Sequence, residues 1–204
     1  MVDIDKIISQ IKNVPESGVD VGIRQGYAAL NAQRENPVDK ETLDKHISWV
    51  KEYLADLIQK AQPLKVPSDY IYFLEYYGGL WILRDEYYFG TFGVGPMTEV
   101  WYSSVVSDDA DPNAVEYGFI SIGLLSFGKS QREEQQIYFF IDLKGHIRKQ
   151  SIIGVPLNKE KQIYPSLVIR NLPEYQSVCQ IVSDSFTEWL EQAVRTQGTF
   201  GYLN

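Results

Sequence analysis

His46 and His146 are the only histidines of the chain, and no third ligand is spaced to complete a zinc site with either. Cys179 is the sole cysteine. Isolated in an apolar setting, it reads as a small core residue and not as a nucleophile. With no second cysteine there is no internal disulfide, which fits a reducing compartment. There is no Gly-x-Ser-x-Gly elbow for an activated serine and no phosphate-cradling P-loop. Gly93-Val94-Gly95 begins like a dinucleotide loop, but Pro96 and Met97 follow where a helix-opening glycine pattern is needed. Asp109, Asp111 and Asn113 have the first spacings of a calcium loop. Its sixth and twelfth positions would be Ala114 and Ile120, where a glycine and a bidentate glutamate are required. Neighbouring carboxylates such as Asp108 and Asp109 do acid–base work only when they face a pocket. A solvated loop is their default. The expectation is a protein without catalytic residues, metal or cofactor.

Binding chemistry is better represented. Between Arg84 and Lys129 there is no basic residue, while Asp85, Glu86, Glu99, Asp108, Asp109, Asp111 and Glu116 all fall there. Tyr87, Tyr88, Phe89, Trp101, Tyr102 and Tyr117 are interleaved with them. Sharing a face, these residues would form a negative surface with aromatic anchors. Aromatic side chains carry interface affinity, and complementary charge speeds and selects association. The seven acidic residues, with Tyr88 and Trp101, are the candidate protein-binding residues. A basic partner is the one they suit. The alternative is a set of acidic loops around ordinary core aromatics.

The rest of the composition agrees. The net charge is −8, with 8 basic and 10 acidic side chains in residues 1–64 and 11 and 17 in residues 65–204. Such a chain repels phosphate backbones, so direct nucleic-acid binding is not expected. The hydrophobic fraction of 44% is enough to bury a core. Asp3, Asp5, Lys6 and Lys12 are unlike a signal peptide, and no run of 18 apolar residues exists to span a membrane. A cytoplasmic location is expected. Oligomeric state is not legible at this level.

These side chains need elements to position them. Ile4, Ile7, Ile8 and Ile11 recur at helical spacing. The glycines Gly18, Gly22 and Gly26 read as a loop or weak helix. Asp39 caps a longer helix, with Glu41 in its first turn and an apolar stripe of Leu43, Ile47, Val50, Leu54 and Leu57. Pro63 and Pro67 mark a boundary. Residues 1–64 form a helical extension that docks on a domain spanning 65–204. Ser68 and Asp69 cap a helix carrying Tyr70, Phe73, Leu74 and Tyr77, closed by Gly78 and Gly79. Tyr87–Phe92, Tyr117–Phe127, Gln136–Leu143 and His146–Ile153 read as strands. Gly128–Gln135 is a polar connection, and Asp142-Leu143-Lys144-Gly145 a tight turn. Met97–Val106 reads as a connecting helix, and 174–182 is ambiguous between helix and strand. Ser185 and Glu188 make a capping box opening a final helix with Phe186, Trp189, Leu190 and Val194. The plan is α+β, an antiparallel sheet packed with helices.

Three of these blocks carry a family resemblance. Val66-Pro67-Ser68-Asp69-Tyr70, Phe73-Leu74 and Tyr77-Gly78-Gly79 resemble the opening signature of the SUKH superfamily. Phe119 to Gly123 and Gln136 to Asp142 resemble its central strand pair. Ser185-Phe186-Thr187-Glu188-Trp189-Leu190 is similar to its C-terminal helix. The blocks occur in order over about 65–195. Tyr77 departs from the pattern, since asparagine is frequent there, and residues 1–64 lie outside it. The superfamily includes yeast cell-wall-synthesis regulators and many bacterial immunity proteins. The resemblance implies a non-catalytic protein-binding domain, first of all an antitoxin that blocks a bacterial toxin. The alternative is a regulatory or scaffolding module such as a glucan-synthesis regulator. Phe73, Leu74, Phe186 and Trp189 read as core, so the resemblance marks a fold and leaves the working surface unmarked.

Overall fold

The computed structural model describes residues 4–11, 13, 18–19, 40–77, 80–82, 90–92, 123–132, 135–157 and 177–196. The helices are α1 (Ile4–Ile11), α2 (Lys40–Ala61), α3 (Ser68–Tyr77) and α4 (Phe186–Arg195). The strands are β1 (Gly18–Val19), β2 (Leu80–Trp81), β3 (Gly90–Phe92), β4 (Leu124–Arg132), β5 (Gln135–Asp142), β6 (Ile152–Leu157) and β7 (Gln180–Ser183). Strands β3 to β7 form one antiparallel sheet in sequence order, and β1 pairs with β2 in a second, two-stranded sheet. The fold is α+β.

Apolar spacing explains which faces meet. All four isoleucines of α1 are buried. On α2, Leu54, Leu57 and Ala61 are buried and Ile47 is half-buried. The side chains of Leu43 and Val50 lie outside the described residues. These positions join one apolar cluster with Tyr70, Phe73 and Leu74 of α3, Phe186, Trp189 and Leu190 of α4, and Ile137, Phe139 and Ile141 of β5. At its centre Trp189 lies edge-on to Phe127 (4.8 Å, 87°) and Phe139 (5.2 Å). Phe186 meets Tyr70 at 5.0 Å and Phe73 at 5.2 Å. Such pairs add about 0.5–1.5 kcal/mol beyond their area burial. The helices of the described chain thus share one face of the sheet, and α1 packs directly on α4.

Side chains alternate along a strand, so Tyr138 and Phe140 of β5 point the other way. They are buried too, with Val155 and Ile153 directly opposite them on β6. The middle of the sheet is therefore closed on both faces, which explains why Ile137 to Ile141 is uninterruptedly apolar and not alternating.

The capping-box signal near the C-terminal end of the sequence holds. The final helix starts after Ser185, whose Oγ accepts the Glu188 N–H at 3.2 Å. Glu188 Oε2 accepts the N–H of Asp184 at 3.1 Å, one residue before the cap. Asp39 and the glycines at 78 and 79 lie outside the described residues, as do 97–106, 117–122 and 87–89.

Three expectations are corrected. The polar stretch Gly128–Gln135 is mostly ladder: β4 and β5 stay paired from Leu124↔Asp142 out to Arg132↔Gln135. A bulge between Ser126 and Gly128 shifts the register there. Backbone pairing with an established neighbour outweighs the weak strand preference of these residues. The strand expected over His146–Ile153 begins only at Ile152, because Asp142 organises 143–151 as a loop. Gly18 and Val19, expected in a loop or weak helix, pair with Trp81 and Leu80. The ambiguous 174–182 resolves at its end, where β7 begins at Gln180.

Candidate functional site

Among the candidate protein-binding residues, Asp85, Glu86, Tyr88, Glu99, Trp101, Asp108, Asp109, Asp111 and Glu116 all lie outside the described residues. The one described piece of that stretch is β3. It pairs with β4 through Gly90↔Gln131, Thr91↔Ser130 and Phe92↔Lys129, which ties the stretch to one end of the sheet. The calcium-like Asp109, Asp111 and Asn113 and the Gly93-Val94-Gly95 turn also lie outside. Among the described residues no group of His, Cys, Asp or Glu is arranged to hold a metal ion, and no helix is long and apolar enough to cross a membrane.

Among the described residues, four places hold buried or half-buried polar groups. Asp69 sits in the first turn of α3. One carboxylate oxygen accepts the N–H of Tyr70 at 2.9 Å, and the other accepts the N–H and hydroxyl of Thr187 at 3.0 and 2.9 Å. A single acidic residue thus lies at the N-termini of both α3 and α4, where the helix dipoles favour negative charge. On α1, Asp5 receives the Tyr72 hydroxyl at 3.0 Å on both oxygens and the Tyr77 hydroxyl as well. Tyr72 stacks on Tyr76 at 4.3 Å. This cluster fastens α1 to α3, and sequence reasoning missed it because its members are 67 and 72 residues apart.

The third place is Asp142, at the end of β5 and fully buried. Its Oδ1 accepts the N–H groups of Gly145 and His146 at 2.7 and 3.0 Å. Its Oδ2 accepts those of Ile147 and Arg148 at 2.8 and 3.1 Å. Four consecutive amides thus wrap one carboxylate. Gly145 (φ +86°) and Gly123 (φ +89°) supply left-handed backbone that other residues rarely adopt. Lys144 N–H reaches the Gly123 carbonyl at 3.1 Å, and a Cβ on Gly123 would lie 2.5 Å from the Lys144 Cβ. With the backbone turned inward, Lys144, His146, Arg148 and Lys149 stand exposed. Arg148 pairs with Asp184 just beyond β7. The sequence does carry this signal, four basic or imidazole side chains within six residues, but its pattern divides them between a turn over 142–145 and a strand over 146–153.

The fourth is Cys179. It is half-buried and not fully in the core as expected. Burial first, and the nearby Asp142 carboxylate second, push its thiol from the ordinary 9.0 up to about 11. Both effects disfavour the anion, so the thiol stays protonated at neutral pH and is a poor nucleophile. Its alkylation by iodoacetamide is therefore expected to be about 100-fold slower at pH 7.5 than that of an unshifted thiol, and to accelerate as pH rises towards 11. A rate within a few-fold of free glutathione would refute this assignment.

The exposed face of α2 carries a shallow hollow lined by Lys40, Glu41, Asp44, Lys45, Ser48 and Glu52. Lys45 and Glu41 are bridged at 2.7 Å one turn apart, with both side chains about three-quarters exposed. Such a pair contributes only about 0.3–0.5 kcal/mol and marks a solvated helix face. No protein-family model, curated protein or solved structure matches this chain.

Proposed function

We propose that this chain is a non-catalytic protein-binding domain of the SUKH kind, acting as an immunity protein that holds and neutralises a basic toxin. The observation that carries the reading is the meeting of the three signature blocks. Asp69 of the first accepts two hydrogen bonds from Thr187 of the third, and Phe139 of the second packs against Trp189 of the third. Blocks so distant in sequence have a reason to recur together when they make one core. Among the described carboxylates, Asp5, Asp69 and Asp142 are engaged in holding the fold, and the thiol of Cys179 is kept protonated. A binding role falls to side chains outside that framework, and the acidic, aromatic stretch 85–116 is the one whose composition suits a cationic target.

The test is co-expression with the product of the adjacent gene, followed by purification and growth measurements. A stable complex and relief of growth inhibition are expected. A complex that leaves the partner's activity intact would make the chain a scaffold. In surface plasmon resonance, replacing Asp108, Asp109 and Asp111 with lysine should slow association by about 3- to 100-fold at low salt, from about 0.2–1 kcal/mol per exposed charge. An unchanged on-rate and salt dependence would remove the stretch from the interface.

A further inference from the structure

We propose that the loop 144–149 is a second docking surface, for a carboxylate-rich segment of a protein partner. Three permanent cations, Lys144, Arg148 and Lys149, are exposed there, in a chain whose net charge is −8. The loop is held before any partner arrives, because Asp142 fixes four successive backbone amides. A surface already ordered loses little conformational freedom on binding. Arg148 shows what the loop takes, since its guanidinium already holds the carboxylate of Asp184.

The same geometry argues against phosphate. Phosphate sites in loops rely on converging backbone N–H groups. Here those four groups are turned inward and occupied by Asp142, leaving only side-chain cations to face outward. A nucleic acid would in addition meet the −8 charge of the whole chain, whereas a short acidic segment meets mainly the local field. Asp184 follows β7, a strand on which Ile181 is 38% exposed. An extended segment alternating acidic and apolar residues suits both. This surface does not depend on the acidic stretch 85–116 and has the opposite sign.

The probe is a fluorescein-labelled peptide of alternating glutamate and leucine, titrated with the full chain by fluorescence anisotropy at two salt concentrations. Binding that weakens with salt is expected. Replacing Lys144 and Lys149 with glutamate should weaken it about fivefold or more. The charge-matched pair Lys45→Glu and Lys51→Glu on α2, both exposed, should leave it within about twofold. All four lysines are exposed, so circular dichroism should show each variant folded. The proposal is overturned if the peptide does not bind, or if the α2 variant loses as much as the loop variant. It is overturned equally if a glutamine–leucine peptide binds as well, or if heparin binds more tightly than the peptide.

Discussion

Replacing Ile7 and Ile11 together with alanine is expected to remove most of the stability of the chain. Both are at most 3% exposed, on the face of α1 that enters the common core. Each truncation removes buried methyl groups and leaves a cavity, at about 2–5 kcal/mol apiece. Their sum rivals the about 5–15 kcal/mol that holds a domain together. They lie one helical turn apart, so the two losses will couple and not simply add. Urea unfolding followed by tryptophan fluorescence measures the effect, with the exposed Ser9→Ala as a control expected to change stability by no more than about 0.5 kcal/mol. If the double variant unfolds within about 1 kcal/mol of the parent, α1 is an appendage and its burial is incidental. The same experiment bears on the division at residue 64, because the isoleucines of α1 share one core cluster with Trp189 and Leu190 of α4.

Asp142→Ala is the second large effect. The substitution removes an acceptor of four amides from a fully buried position. Amides left without a partner cost about 1–3 kcal/mol each where water cannot reach them. Some will find solvent as the loop opens, so a net loss of about 3–5 kcal/mol is expected. Asp142→Asn should cost less, since one oxygen of the same shape can still accept two of the four. Hydrogen exchange locates the damage: amides 145–148 should lose protection first. Equal stability of the alanine variant would mean that the loop is held by other contacts.

The elements that were legible in sequence are those whose signals are local. Ser68 and Asp69 before Tyr70 give the start of α3, and Ser185 with Glu188 gives the start of α4. The isoleucine spacing of α1 likewise gives its buried face. What was missed depends on contacts, near in the chain as well as far, that no local residue pattern announces. Lys129 to Arg132 is strand because Gln135 to Tyr138 lies beside it. The tight turn after Asp142 is a loop because a side chain, and not only turn-forming residues, decides where the amides point. The double role of Asp69 has no signature, for Thr187 is 118 residues away. The acidic face rests on charge spacing alone, since its residues fall outside those described.

The packing of α1 on α4 sets an order of events during synthesis. A ribosome making about 5–20 residues per second needs roughly 9–35 s to travel from Ile11 to Phe186. For that time the isoleucine face of α1 has no C-terminal helix to cover it. Strands β3 to β6 can pair early, because each pairs only with its neighbours in sequence, while β7 is made just before α4. The helical layer cannot close until Trp189 has been made. The nascent chain thus carries a half-built sheet beside an apolar helix that α4 does not yet cover.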